Sequence, residues 1–314
     1  MRILVTDGIE KEALARLQAT HQVDVIEMGP DDLLKNVGKY DALVVRGRTK
    51  VTAQVIEKGT NLKVIGRAGV GVDNIDVSAA TKRRIAVVNA PTGSTLSVAE
   101  LAVGHMISLA RMLPQADRSI KEGKWEKKRF MGVELYGKTL GLLGSGRIGT
   151  EVAKRAQSFG MKAIAFDPYL PPAIAKENKI DLVDLKTLLQ QADFLSIHAA
   201  LTPETKGMVS AKELAMMKRS AYLVNCARGE IVNEKALVDA LKAGTIAGAA
   251  LDVFEKEPPA GSPVVGLDNV VLTPHIGAST SEAQYRAGMA IVEQVDKVLR
   301  GQKADFVVNK EIYG

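Results

Sequence analysis

The stretch that most constrains this chain is Lys138 to Gly149, KTLGLLGSGRIG. Its apolar run Leu140–Leu143 reads as a strand buried on both faces. Gly144, Gly146 and Gly149 follow at G-x-G-x-x-G spacing and lead into the helix-compatible TEVAKRAQSFG. The first glycine allows a tight turn, the second lets a pyrophosphate approach the backbone, and the third lets helix and strand pack closely. The helix start presents unpaired N–H groups and a partial positive charge to phosphates. A second apolar run, KAIAFD, ends in Asp167, near the roughly 20-residue offset expected of a ribose-binding carboxylate. The pattern predicts a dinucleotide site. The competing reading is a purely structural strand–turn–helix.

At 314 residues the chain suits two domains better than one. The one cysteine, Cys226, excludes an internal disulfide and fits a reducing, cytoplasmic setting. The start MRILVTDGIE lacks a signal-peptide layout, and no apolar run is long enough to predict a membrane span. A net charge of +6 suits acidic small-molecule ligands. With 4% aromatic residues and scattered basic ones, nucleic acid is not an expected partner. No metal site is assigned.

The first ninety residues alternate apolar runs (RILVT, VDVIE, ALVVRG, KVIGRAG, AVVNA) with amphipathic stretches, which implies a parallel sheet covered by helices. Ligands gather beyond the carboxyl ends of such strands. Two of those ends carry Arg46-Gly47-Arg48 and Gly66-Arg67-Ala68-Gly69-Val70-Gly71, whose glycines permit close backbone approach and an anion-binding nest. A long apolar helix is predicted over Ser97–Leu113, buried between layers or against another chain. His105 on it is read as structural. The basic segment KEGKWEKKR follows, from Lys121 to Arg129. From Lys138 a second alternating series carries the strands TLGLLG, KAIAFD, DFLSIHA, AYLVNCA, IAGAALDV and NVVLTP. A last helix, Ser281–Leu299, is long enough to return to the first unit, and Asp305–Val308 could follow it there.

Three strand ends of the second series carry reactive chemistry: Asn225-Cys226-Ala227-Arg228-Gly229, Asp252 through Pro258, and Thr273 through Thr280. Singly each is ordinary. Together, beside a nucleotide fold, they supply a guanidinium, carboxylates and a histidine, enough for a carboxylate clamp and an acid–base pair.

The segments VRGRTKVT, GRAGVGVDNID, GLLGSGRIG, LTPETKG, NCARGEIVNEKAL, ALDVFEKEP and PHIGAST, in that order, cover most of the chain. In them the sequence resembles the D-isomer-specific 2-hydroxyacid dehydrogenases. The resemblance implies an α/β fold of two doubly wound parallel-sheet domains. A Rossmann NAD-binding domain, residues 97–287, would be inserted in a flavodoxin-like substrate-binding domain formed by residues 1–96 and 288–314. It implies Arg228, Glu257 and His275 as the catalytic trio. NAD contacts would fall on Gly144, Gly146, Arg147, Ile148, Gly149, Asp167, Ala199, Cys226, Ala227, Asp252, Gly277 and Ala278. It implies Val70 and Gly71 as backbone donors to the substrate carboxylate. Arg46 and Arg67 are expected as further substrate contacts from their adjacent strand ends, and Lys127 as one across a homodimer if the long apolar helix pairs two chains. The nearest branch oxidises 3-phospho-D-glycerate to 3-phosphohydroxypyruvate with NAD, the first step of the phosphorylated route to serine. A glyoxylate or hydroxypyruvate reductase is the alternative within the chemistry, and an NAD-sensing corepressor-like protein the alternative outside it. The family often has proline where this chain has Ala200. The chain ends where the two catalytic domains end, so a C-terminal regulatory domain is not expected.

Overall fold

The alternation of short apolar runs with capped amphipathic helices produces two separate parallel sheets. The computed structural model describes residues 1–314 and divides them into two units: Met1–Thr95 with Ala278–Gly314, and Leu96–Gly277.

The first unit begins with β1 (Arg2–Val5), α1 (Lys11–Gln18), β2 (Gln22–Val25), α2 (Pro30–Asn36) and β3 (Ala42–Val45). It continues with α3 (Ala53–Lys58), β4 (Val64–Arg67), α4 (Val77–Lys82) and β5 (Ala86–Asn89). The helix starts are set by side chains that accept orphan N–H groups: Glu10 for α1, Thr52 for α3 and Asp76 for α4. All pairings are parallel and the strand order is β2-β1-β3-β4-β5, the flavodoxin-like arrangement. The order reverses between β1 and β3, so the crevice at their carboxyl ends is where a ligand is expected. Arg46 follows β3 there.

The second unit starts with α5 (Thr95–Arg111) and α6 (Leu113–Lys121), then β6 (Thr139–Leu143), α7 (Arg147–Ser158), β7 (Lys162–Phe166), α8 (Pro172–Glu177) and β8 (Ile180–Leu182). It goes on through α9 (Leu185–Gln191), β9 (Phe194–Ile197), α10 (Ala211–Met216), β10 (Tyr222–Asn225), α11 (Glu234–Ala243), β11 (Gly248–Leu251) and β12 (Val270–Leu272). The order β8-β7-β6-β9-β10-β11-β12 is the Rossmann arrangement with a seventh strand added. Its switch point lies between β6 and β9, where the glycine-rich turn follows β6.

The chain then returns to the first unit through α12 (Ser281–Leu299). Ile291 and Val295 of this helix press on Gly66 of β4, where a Cβ would lie 2.8 Å from Val295 Cγ2. The tail runs antiparallel to β5, bridging Val307 to Val88. Buried Asn309 accepts from the Val87 amide and donates to the Ile85 carbonyl.

Three features differ from the sequence reading. The return to the first unit comes at residue 278 rather than 288. The physical reason is that residues of α12 before 288 already pack there: Arg286 Nε donates to the Gly93 carbonyl at 3.0 Å, and a Cβ on Gly93 would lie 3.1 Å from Ala287. The predicted helix to Leu113 stops at Arg111: Met112 turns left-handed (φ 51°), Pro114 opens a new helix, and the two axes differ by 63°. Finally α8 and β8 lie in a stretch with no predicted element; β8 is a three-residue edge strand with only Ile180 buried. No single helix is long and apolar enough to cross a membrane.

Candidate active site

The glycine-rich turn is shaped by close approach. Gly144 has φ +85°, and a Cβ on it would meet the Ala199 amide at 2.8 Å. A Cβ on Gly149 would lie 2.6 Å from the Gly144 carbonyl, so α7 packs against the turn only with glycine there. Above Gly146 there is open space, and α7 begins at Arg147 and Ile148 with no side chain capping it. Ser145 is fully buried, and its Oγ has no hydrogen-bond partner. An orphaned buried hydroxyl, an open glycine and an uncapped helix start fit a dinucleotide's phosphates.

Asp167, at the end of β7, grips this turn. Its Oδ2 accepts the Ser145 amide at 2.7 Å, and its Oδ1 accepts the amides of Tyr169 and Leu170 at 2.9 and 3.1 Å. A carboxylate has about four lone-pair positions. Asp167 therefore keeps about one that these amides do not use. Beside the turn, half-buried His198 bonds Ser196 Oγ at 2.8 Å, and desolvation lowers its pKa to about 4, so the ring is neutral. Cys226 is buried and its thiol is pushed far up by that burial, which makes it inert packing rather than a nucleophile.

The histidine–carboxylate pair that the resemblance marks lies in the same unit. His275 Nδ1 is 2.8 Å from Glu257 Oε2. That hydrogen bond raises the His275 pKa above its ordinary 6.5; burial and the Arg228 charge oppose it, and the charges of Glu257 and Asp252 assist. For Glu257, burial pushes upward. The hydrogen bond and charge of His275, the Phe254 amide and Arg228 outweigh it and leave the carboxyl below its usual range. His275 sits at φ +54°, unusual for a non-glycine residue. Asp252 holds the backbone beyond it: Oδ1 accepts the Ile276 amide and Oδ2 the Gly277 amide, both at 2.8 Å. Arg228 follows β10, where Asn225 Nδ2 donates to its carbonyl at 2.9 Å, and its own Nη1 donates to the Ala227 carbonyl at 2.7 Å. Ala227 N donates in turn to Asn225 Oδ1.

In the first unit, Arg46 lines an open pocket with Glu10, Ser279, Thr280 and Tyr285. Arg48 turns instead onto the Thr6 carbonyl, at 2.7 Å, and onto Asp7. The Arg67 guanidinium lies over Gly69, where a Cβ would collide with it. Val70 and Gly71 follow on the bend after β4, and the Val70 carbonyl accepts from Asn89 Nδ2 at 2.6 Å. Ala278 begins the return to this unit, and its carbonyl accepts from Gln284. Lys127 lies in the second unit, exposed, on a single 3-10 turn beside an 84% exposed Trp125.

A Rossmann sheet with a carboxylate-paired histidine beyond one strand end puts the chain in the class of dinucleotide-binding proteins with a candidate acid–base pair. Residues 103–277 match the family described as D-isomer specific 2-hydroxyacid dehydrogenase, NAD binding domain. The chain is 53% identical over 311 residues to a D-3-phosphoglycerate dehydrogenase of Methanocaldococcus jannaschii, covering 98% of this chain and 59% of that one. It is 48% identical to a hydroxypyruvate reductase of Thermotoga maritima, covering 95% of this chain and 98% of that protein. The crystal structure of the TT0316 protein from Thermus thermophilus superposes with a TM-score of 0.91 at 37% identity, over 98% of this chain and all of that one. The chain belongs to the D-isomer specific 2-hydroxyacid dehydrogenase family. It spans about 59% of the length of the phosphoglycerate dehydrogenase relative.

Sequence reasoning missed the grip of Asp252 on the His275 loop and the pocket residues Glu10, Ser279 and Tyr285. Asp252 stood in the sequence as one of several carboxylates at a strand end and, through the resemblance, as an NAD contact. A lone acid after an apolar strand has no spacing signal, because its partners are backbone amides of another loop.

Proposed function

We propose that the protein oxidises 3-phospho-D-glycerate to 3-phosphohydroxypyruvate with NAD, reversibly. The observation that carries the chemistry is the Glu257–His275 pair at 2.8 Å on the dinucleotide-binding unit. The names of relatives such as that of M. jannaschii favour the phosphorylated substrate. Bound NAD would accept the hydride from C2 of the hydroxy acid, and NADH would return it. With Nδ1 directed to Glu257, His275 offers Nε2 to the substrate hydroxyl. It takes that proton in oxidation and gives it back in reduction. Glu257 fixes the ring and favours its charged form. Arg228 forks onto the substrate carboxylate and the carbonyl oxygen, a task for which its planar donors suit it better than lysine.

Carboxylate binding is assigned also to the backbone amides of Val70 and Gly71, and phosphate binding to Arg46 and Arg67. We assign a homodimer and a cytoplasmic setting. Support for the dimer comes from large exposed apolar side chains on the second unit: Ile120, Trp125, Met131 and Tyr136 are 55%, 84%, 83% and 76% exposed. Scattered exposed apolar residues are normal, but several in one segment mark an interaction surface. Lys127, in that segment, would then serve the neighbouring subunit's substrate.

The test is NADH formation by the purified protein with a panel of 2-hydroxy acids. Preference for 3-phosphoglycerate over D-glycerate supports the reading. Preference for the unphosphorylated acid would replace it with a hydroxypyruvate-type reductase, the activity named for the T. maritima relative.

A further inference from the structure

The His275 loop rests on a buried chain of hydrogen bonds that begins at a residue with no part in the proposed reaction. His105, on α5, is 3% exposed, and its Nε2 lies 3.2 Å from Thr273 Oγ1. Thr273 Oγ1 lies 2.6 Å from Asp252 Oδ1. A threonine hydroxyl has one proton and a carboxylate has none, so that proton lies in the Thr273–Asp252 bond, whose length is typical of a charge-assisted one. Thr273 therefore meets His105 with a lone pair, and His105 must present an N–H. The ring is in its Nε2–H form.

Beyond Thr273 the chain reaches the catalytic loop directly. Asp252, 1% exposed, uses both oxygens on the amides of Ile276 and Gly277. Those peptide units follow His275, the residue held at φ +54°. A left-handed backbone at a non-glycine residue persists only where its surroundings fix it. Val98, two turns before His105 on α5, closes the same loop: a Cβ on Gly277 would lie 3.2 Å from Val98 Cγ2. A core role alone would need only an apolar side chain of similar size at position 105. Burial also holds the His105 pKa below its ordinary value, with Asp252 opposing, which keeps the ring neutral and able to donate one N–H.

We propose that His105 is a positioning residue for hydride transfer. Its Nε2–H anchors the Thr273 hydroxyl, which orients the Asp252 carboxylate, which fixes the turn presenting His275 to Glu257. This inference rests on the His275 chemistry proposed above.

The test compares His105→Met, which keeps bulk and removes the donor, with His105→Gln, whose side-chain amide can donate from the same place. His105→Met should lower kcat about three- to tenfold, the scale of one net hydrogen bond. The KM for the hydroxy acid should stay within about twofold, and His105→Gln should recover most of the loss. Thr273→Val should lower kcat by itself, and adding His105→Met to it should cost less than about twofold more, because the two act through one bond. Imidazole nitrogen NMR on the wild-type protein without substrate should show His105 neutral and protonated at Nε2. A ring protonated only at Nδ1, an unchanged kcat in His105→Met, a glutamine variant as slow as the methionine one, or additive losses would each overturn the proposal. Wild type inactive on 3-phosphoglycerate defeats only the substrate reading. The kinetic comparison then uses whichever 2-hydroxy acid the enzyme oxidises, and the NMR measurement needs none.

Discussion

The two sheets use one device at their ligand-facing ends, and put it to different ends. In the first unit Asp7, just beyond β1, reaches the loop after the adjacent β3 and accepts the amides of Arg46 at 2.7 Å and Thr49 at 3.1 Å. In the second, Asp252, just beyond β11, reaches the loop after the adjacent β12 and accepts the amides of Ile276 and Gly277. Each carboxylate satisfies loop N–H groups that the sheet leaves unpaired. Burial pushes Asp7 upward, but the Thr49 hydroxyl, the two amides and the Arg48 charge together hold it below the usual carboxylate range. The side chains presented differ. The Asp7 loop leaves Arg46 in an open pocket while Arg48 folds back on it; the Asp252 loop presents a histidine paired with its own carboxylate. One loop holds out a fixed charge, which can bind. The other holds out a group that changes protonation, which can do chemistry.

Breaking the proton carrier should therefore have the largest effect. His275→Ala is expected to lower kcat by about 10²–10⁴-fold, the usual contribution of a positioned acid–base group. NADH affinity, measured by fluorescence titration, should change little. A variant that kept wild-type turnover would place the base elsewhere.

Breaking the fixed charges should cost less and show in substrate choice. Arg46→Ala and Arg67→Ala should each lower kcat/KM for 3-phosphoglycerate about ten- to a hundredfold, since a hydrogen bond to a charged group is worth roughly 1.5–3 kcal/mol. Activity on D-glycerate should be low in wild type and much less affected by Arg46→Ala. Equal losses on both acids would show that Arg46 does not read the phosphate.

The same contrast explains what could be read from residues alone. The strands and the glycine turn were legible because burial on both faces leaves continuous apolar runs and because pyrophosphate approach requires glycines at fixed spacing. His275 and the carboxylates around Glu257 were legible as reactive groups at strand ends, but the choice of Glu257 as the partner of His275 came only through a resemblance of whole segments. Their separation of eighteen residues carries no periodicity that predicts a 2.8 Å contact. The break at Met112 was hidden by a following apolar Leu113, although Pro114 was the available signal. Asp7 and Thr273 were invisible for a common reason: each acts through hydrogen bonds to a loop far off in sequence.

Asp167 is a third carboxylate of this kind, beyond β7 and gripping the turn after the adjacent β6. With about one acceptor position left, it should still repel the extra phosphate of NADP, and Pro168 and Tyr169 follow it in place of an arginine. Efficiency with NAD should exceed that with NADP by at least about tenfold, or roughly 1.4 kcal/mol. Equal efficiencies would remove Asp167 from cofactor selection and leave it as a turn-holding residue only.

The smallest expected effect is the most specific to the second unit. Glu257 raises the His275 pKa chiefly through their hydrogen bond. Glu257→Gln can keep an acceptor for Nδ1–H but removes the charge, so the imidazolium loses stabilisation and its pKa falls. Oxidation needs the neutral ring, so the acid limb of the pH–rate profile should move to lower pH in the variant; the reductive profile, which needs the charged ring, should lose its activity at lower pH. Folding should respond with the matching sign. Because the folded-state pKa lies above the ordinary 6.5, the pair's contribution is fully present below that value and is lost as pH rises through the folded pKa. The difference in stability between wild type and Glu257→Gln should accordingly be larger at pH 5.5 than at pH 9 in denaturant titrations, both pH values chosen as roughly either side of the histidine range. Profiles that overlay would mean that the two side chains touch without sharing a proton, and the second unit's loop would then differ from the first only in the residue it presents.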